Sequence, residues 1–126
     1  MTFEADFKSH LQSDGTISGT VNDRIYPSVM PQSSTLPAIT YSFVSGNPQT
    51  SIDGFTSGVS RYGIQIDCWA SSYSSVIALA LAVRNRLKTN AATFSIVITE
   101  YPLFDDYEPD TKLYRRSIGC ACWFKE

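Results

Sequence analysis

The sequence predicts an α+β domain: a mainly antiparallel β-sheet with an N-terminal helix and one longer central helix packed on one face. Three observations carry this expectation. Apolar residues alternate with polar or small ones over Pro37–Val44, Arg61–Trp69, Thr93–Tyr101 and Leu113–Phe124, the period-two signature of strands. Apolar residues recur at helical spacing near the N-terminus and again between Val76 and Leu87. The elements run helix, strand, loop, strand, helix, strand, strand, with no internal repeat and no linker. The 126 residues therefore form a single domain, 1–126. A chain of that length buries roughly two-thirds of its unfolded surface without metal or disulfide.

Each element has its own justification. Phe3, Phe7 and Leu11 stand four apart and define a short amphipathic helix with Asp6 and Lys8 turned to water. Asp14–Ser18 and Gly19 read as the turn that ends it. From Asn22 to Leu36 turn formers dominate, and Pro27 and Pro31 exclude a helix and favour extended backbone around Ile25 and Tyr26. In Pro37–Val44 the side chains of Ile39, Tyr41 and Phe43 share one face. Ser45–Ser60 is rich in glycine and hydroxyls and reads as a long loop, a length that is usually functional in a compact domain.

Arg61–Trp69 alternates again, with Tyr62, Ile64, Ile66 and Cys68 on one face and Arg61, Gln65, Asp67 and Trp69 on the other. Ser71 or Ser72 then caps a helix whose apolar stripe is Val76, Ala80, Val83 and Leu87 and whose last turns carry Arg84, Arg86 and Lys88. Thr93–Tyr101 gives a third strand. Asp105 to Asp110 reads as a solvated acidic turn, and Leu113–Phe124 as the last strand.

The same residues exclude much chemistry. The single histidine, His10, lies at an ordinary polar position of the first helix, and there is no nucleophile elbow, phosphate loop or dinucleotide fingerprint. Asp67 and Cys68 are neighbours on a strand, so their side chains point to opposite faces and form no nucleophile and base pair. Cys68 has the parity of the core. Asp67 either holds a backbone group where strand becomes helix or pairs with an arginine of a neighbouring strand. Cys120 and Cys122 stand two apart on one strand face, a spacing of neither a redox pair nor a zinc site, and even with Cys68 they lack a fourth ligand. No catalytic residue, no cofactor and no metal is expected.

The net charge of -2 gives no basic field for nucleic acid. Three cysteines, an odd number, fit a reducing cytosol. The first residues lack the pattern of a signal peptide, and no apolar run reaches the length of about 18 residues that spans a bilayer. Charged residues make up 17% of the chain, a low share that suits surface destined for partners. Arg84 and Arg86, and Arg115 and Arg116 after the acidic residues Asp105 and Asp106, have an ordinary reading as helix-dipole compensation and solubility. A sharper reading makes these six residues an intersubunit salt-bridge surface.

The ordered segments Arg24-Ile25-Tyr26-Pro27, Met30-Pro31-Gln32, Leu36-Pro37-Ala38-Ile39-Thr40-Tyr41, Ile64-Gln65-Ile66-Asp67-Cys68-Trp69-Ala70 ahead of an alanine-rich helix, and Tyr107-Glu108-Pro109-Asp110-Thr111-Lys112-Leu113-Tyr114-Arg115-Arg116-Ser117 resemble the tail-completion, or tail-terminator, family of long-tailed phages and prophages. The resemblance runs from about Phe3 to Phe124. It implies a small α+β structural subunit of the virion neck, assembled in the host cytoplasm, usually as a homo-hexameric ring on the end of the tail tube protein. Such a ring stops tube polymerisation and offers a docking surface to the head connector or adaptor protein. DNA passes through its lumen without specific binding, and no membrane is involved. The family motif Ile52-Asp53-Gly54 matches here, which makes Ile52, Asp53, Gly54, Phe55 and Val59 a candidate partner-contact loop, and Tyr26–Pro37 a second contact surface. The rival expectations are another head-tail adaptor or minor tail protein, or a small cytosolic enzyme or ligand-binding domain with Ser45–Ser60 as a lid.

Overall fold

The computed structural model describes residues 3–28, 35–50, 56–88, 94–109 and 112–125. It contains helices α1 (Phe3–Gln12), α2 (Gly15–Val21) and α3 (Tyr73–Leu87) and strands β1 (Ile25–Pro27), β2 (Ala38–Thr50), β3 (Thr56–Ala70), β4 (Phe94–Glu108) and β5 (Leu113–Lys125). The strands form one sheet in the order β1-β2-β3-β5-β4. Only the short β1–β2 pairing is parallel; β2–β3, β3–β5 and β5–β4 are antiparallel. The α+β expectation holds, with the sheet mainly antiparallel.

Register decides which side chains meet the helices. Directly paired residues share a face, so Tyr41, Ile66 and Ile118 form one row, and Ile64 with Cys120 and Tyr62 with Cys122 extend it. Against this face pack Phe7 and Leu11 of α1, Ile17 and Val21 of α2, and Val76, Leu79, Ala80, Val83 and Leu87 of α3. Burying each such large side chain stabilises the fold by roughly 1.5–3 kcal/mol. All three thiols lie in this core.

Three local readings of the sequence are corrected. Asp14–Gly19 does not simply end α1. Asp14 Oδ1 accepts from the Thr16 and Ile17 amides at 2.9 and 3.2 Å and starts α2, whose Ile17 and Val21, one turn apart, are fully buried. Capping and burial together outweigh the low helix propensity of Gly15 and Gly19.

The segment Ser45–Ser60 is no long loop either. Most of it is a β-hairpin, with Asn47 opposite Arg61, Pro48 opposite Ser60 and Thr50 opposite Thr56, and with register shifts after Phe43 and after Pro48. A ladder is held by backbone groups and needs no apolar alternation. Among the described residues β1 covers β2 only at Ile39–Tyr41, so among them Pro48 stands on an outer strand, where a missing amide hydrogen is tolerated.

The acidic stretch is likewise strand, since β4 continues to Glu108. The chain runs back as β5 from Leu113, just after Lys112, which takes φ 57°.

Candidate assembly surfaces

At the far end of the β4–β5 hairpin the register sets Asp105 opposite Arg116, Asp106 opposite Arg115 and Tyr107 opposite Tyr114. The two arginines therefore lock two successive carboxylates on opposite faces of the sheet. On the helix side, Arg116 Nε and Nη2 donate to the two Asp105 oxygens at 2.7 and 2.8 Å, a bidentate pair. Tyr73, the first residue of α3, donates its hydroxyl hydrogen to Asp105 Oδ2 at 3.2 Å, so the hairpin is tied to the helix start. The Arg116 hydrogen bond, foremost, holds the Asp105 carboxyl below its ordinary value, and the same bond holds the guanidinium charged. Tyr114 packs between Tyr107 at 4.6 Å and Tyr73 at 5.7 Å, each ring tilted against it.

On the other face, Arg115 donates to Asp106 Oδ2 at 3.1 Å, lies over the rings of Phe104 (4.9 Å) and Trp69 (5.3 Å), and comes within 4.0 Å of Asp67. Asp67 accepts hydrogen bonds from the Ser117 hydroxyl and from Gln65 Nε2. Trp69 Nε1 donates to Thr40 Oγ1 at 3.0 Å. Of the two readings open for Asp67, the neighbouring-strand role is the one observed. Ser117 and Thr40 are buried beneath this polar lattice, which gives the helix-free face of the sheet its own cover.

Arg84 and Arg86 also have partners in the chain. Arg84 lies 4.9 Å from the Tyr101 ring centre, a cation–π contact. Arg86 Nε donates to the His10 carbonyl at 2.8 Å and Nη2 to Ser13 Oγ at 2.6 Å. His10 is buried, not at an ordinary polar position, and its Nε2 stands 3.3 Å from the Arg86 carbonyl. Since a carbonyl only accepts, that nitrogen carries the proton. All six charged residues singled out in the sequence thus have partners within one chain. Ile52, Asp53, Gly54 and Phe55 lie outside the described residues, and Val59 stands in β3 opposite Lys125.

Sequence reasoning passed over Phe104, Tyr107 and Val97, all exposed on β4, and the exposed Tyr73 at the start of α3. A signal was there. D-D-Y-E-P-D-T-K-L-Y-R-R is a mirror about its centre, acids and tyrosine before, tyrosine and arginines after, as a hairpin with cross-strand ion pairs requires.

The arrangement offers little for chemistry on a substrate. Burial, reinforced by Asp67, pushes the Cys68 thiol far up, and the hydrogen bond with Cys120, followed by burial, does the same to Cys122. Such thiols are poor nucleophiles. A shallow groove between α2 and α3 is lined by Asp14, Thr16, Ala78, Leu81, Ala82 and Asn85; its one carboxylate, Asp14, is already the cap of α2. Among the described residues no group of three or more His, Cys, Asp or Glu is placed to hold a metal, and no helix is long and apolar enough to cross a membrane.

With this geometry in place, comparison with known proteins is informative. The family model described as Tail completion protein gp17 matches residues 8–125. Among solved structures, a chain from the virion of a native gene transfer agent particle superposes with a TM-score of 0.65 at 14% identity, over 98% of this chain and 95% of that one. At such identity the likeness is one of fold. No curated protein matches the sequence.

Proposed function

The chain belongs to the tail completion protein gp17 family, a family of structural phage tail proteins rather than a class of enzymes, and from that membership we propose that it caps the tail tube, ends tube polymerisation and presents the docking surface for the head connector, as a hexameric ring. The observation that carries this reading is the extent of the family match, 8–125, which runs from the second half of α1 to the end of β5. The uses to which the polar groups are put agree with it. The buried thiols lie in the core, the single histidine fastens α1 to α3, and the four arginines brace the fold. None is left poised over a pocket, and the reading includes no catalytic activity.

A net charge of -2 suits a lumen that DNA must cross without being gripped. The site of action is the virion neck, reached after assembly in the host cytoplasm. The test is removal of the gene from its phage. Overlong tails without heads are expected; tails of normal length would overturn the capping role, and headless tails of normal length would leave only the joining role.

A further inference from the structure

We infer that the helix-free face of β4, along Val97, Glu100, Phe104 and Asp106, is a docking strip for a different protein, one whose surface interleaves lysine or arginine with apolar side chains. This rests on the joining role proposed above and adds the surface used and the chemistry of the partner.

Register puts the four side chains in one line. Val97, Glu100, Phe104 and Asp106 stand opposite Ala121, Gly119, Ser117 and Arg115, alternate residues of β5, and paired residues share a face. That face is the one away from the helices, since the intervening Ile118, Cys120 and Cys122 belong to the helix-side core. From Ala121 to Arg115 the strip is roughly 20 Å long. On β5 the face is closed, with Ser117 and Ala121 buried. Along β4 it is open: Val97 is 51% and Phe104 39% exposed, Glu100 is exposed, and the Asp106 side chain is 48% exposed. Apolar and acidic groups therefore alternate in water. Acids alone keep a sheet margin soluble, and solubility gives no reason to hold a valine and a phenylalanine between them. Phe104 is also set in advance, because the Arg115 guanidinium lies 4.9 Å over its ring, so less side-chain freedom is lost when a partner covers it.

Charge selects the partner. Within 94–108, β4 carries Glu100, Asp105, Asp106 and Glu108 and no lysine or arginine, while the whole chain has a net charge of -2, so the residues outside β4 are net positive. In the Asp106–Arg115 pair the carboxylate is the group turned outward, 48% exposed against 23% for the arginine. A basic protein surface complements such a strip, and phosphates are repelled by it. A second copy is the poorer match. Arg24, Arg84, Arg86, Arg115 and Arg116 are engaged within the chain. Among the described side chains the other cations are Lys8 in α1, Lys88 after α3 and Lys112 before β5, and three cations on separate elements make no matching line.

A double variant tests the inference, Val97→Ser with Glu100→Lys. Asp23→Lys, at an exposed acid between α2 and β1, makes the same change of charge elsewhere and is the control. Thermal melting checks that both fold, and native mass spectrometry compares their self-assembly with that of the unmodified chain. The readout is co-sedimentation of labelled chain with tail tubes isolated from a phage lacking the gene, and with filled heads. The double variant should bind tubes or heads roughly tenfold more weakly, the scale of an interface hot spot, and the control should bind as the unmodified chain does. Binding of the unmodified chain should weaken as salt rises. Hydroxyl-radical footprinting of the unmodified chain, which does not depend on a variant folding, should show Val97 and Phe104 protected in the bound state. Undiminished binding by the double variant, or Val97 and Phe104 unprotected in the bound chain, would overturn the strip while the joining role stands. Self-assembly lost at unchanged melting would overturn the choice of partner, because the strip would then face a second copy. An unmodified chain that binds neither tubes nor heads would overturn the strip and the joining role together.

Discussion

His10 and Arg86 close each other's helices: the His10 ring donates to the Arg86 carbonyl, and the Arg86 side chain donates to the His10 carbonyl at 2.8 Å. The exchange satisfies a carbonyl in the last turn of α1 and another in the last turn of α3, groups that a helix leaves without internal partners. It joins two elements 76 residues apart in the chain. A charged donor spent in this way is a fold contact first.

Replacing Arg86 by Ala should therefore lower the stability of the isolated chain by about 1–3 kcal/mol, the range for hydrogen bonds from a charged group. Lysine should rescue little, because it lacks the planar fork that reaches both His10 and Ser13. Urea unfolding measures both variants. Unchanged stability together with lost assembly would instead return Arg86 to the subunit interface.

The Asp105–Arg116 pair predicts a pH dependence. Folding lowers the Asp105 pKa from its ordinary 3.8, so the carboxylate is favoured in the folded state. Its contribution is complete above the unfolded value and disappears as pH falls through the lower folded one. Asp105→Asn should accordingly be less stable than the native chain near neutrality, and the gap should close below pH 3.8. Urea midpoints across that range decide the matter; a gap that persists in acid would assign the loss to packing.

The three cysteines give a third expectation. Cys68, Cys120 and Cys122 are buried, and Cys68 and Cys122 are held far from ionisation, so a thiol reagent should find no reactive group in the folded chain and three after denaturation. Cys68→Ala should cost about 1–2 kcal/mol, the loss for a small buried side chain. Fast labelling of the native protein, or lost assembly with unchanged melting, would show that Cys68 has another role.

What could be read from the sequence was what apolar period reports. The parity of Ile64, Ile66 and Cys68 placed those residues against the helices, and the stripe from Val76 to Leu87 identified α3, because burial on one face leaves a pattern in the residues themselves. The β2–β3 hairpin beyond Phe43 and the strand at Asp105–Glu108 leave no such pattern. They are held by backbone ladders and by cross-strand charge pairs, which tolerate serine, glycine and aspartate. Position 10 looked polar and solvated because its partner, the Arg86 carbonyl, belongs to another helix and has no trace near His10 in the chain. Arg115 and Arg116 read as partners for acids of a neighbouring copy, whereas within the chain they pair with Asp106 and Asp105; which copy offers the acid depends on the turn between them, and that turn leaves no apolar pattern.

The hairpin tip carries the last prediction. Strands β2 and β3 leave the helix-covered part of the sheet after Tyr41 and Tyr62, and Phe43 is already exposed, while β2 runs on to Thr50. Seven further residues of strand span roughly 20 Å, which separates Thr50 and its partner Thr56 from Phe43 along the hairpin. Ile52 and Phe55 lie between Thr50 and Thr56, outside the described residues, and as members of the candidate contact loop they are proposed to meet a partner. Exchanging both for Ser should then change stability by less than about 0.5 kcal/mol, as surface substitutions do, while reducing the fraction of tails that acquire heads, counted by electron microscopy. A sharp fall in melting temperature would place the two side chains in the core, and full head joining at native stability would remove the tip from the list of contact surfaces.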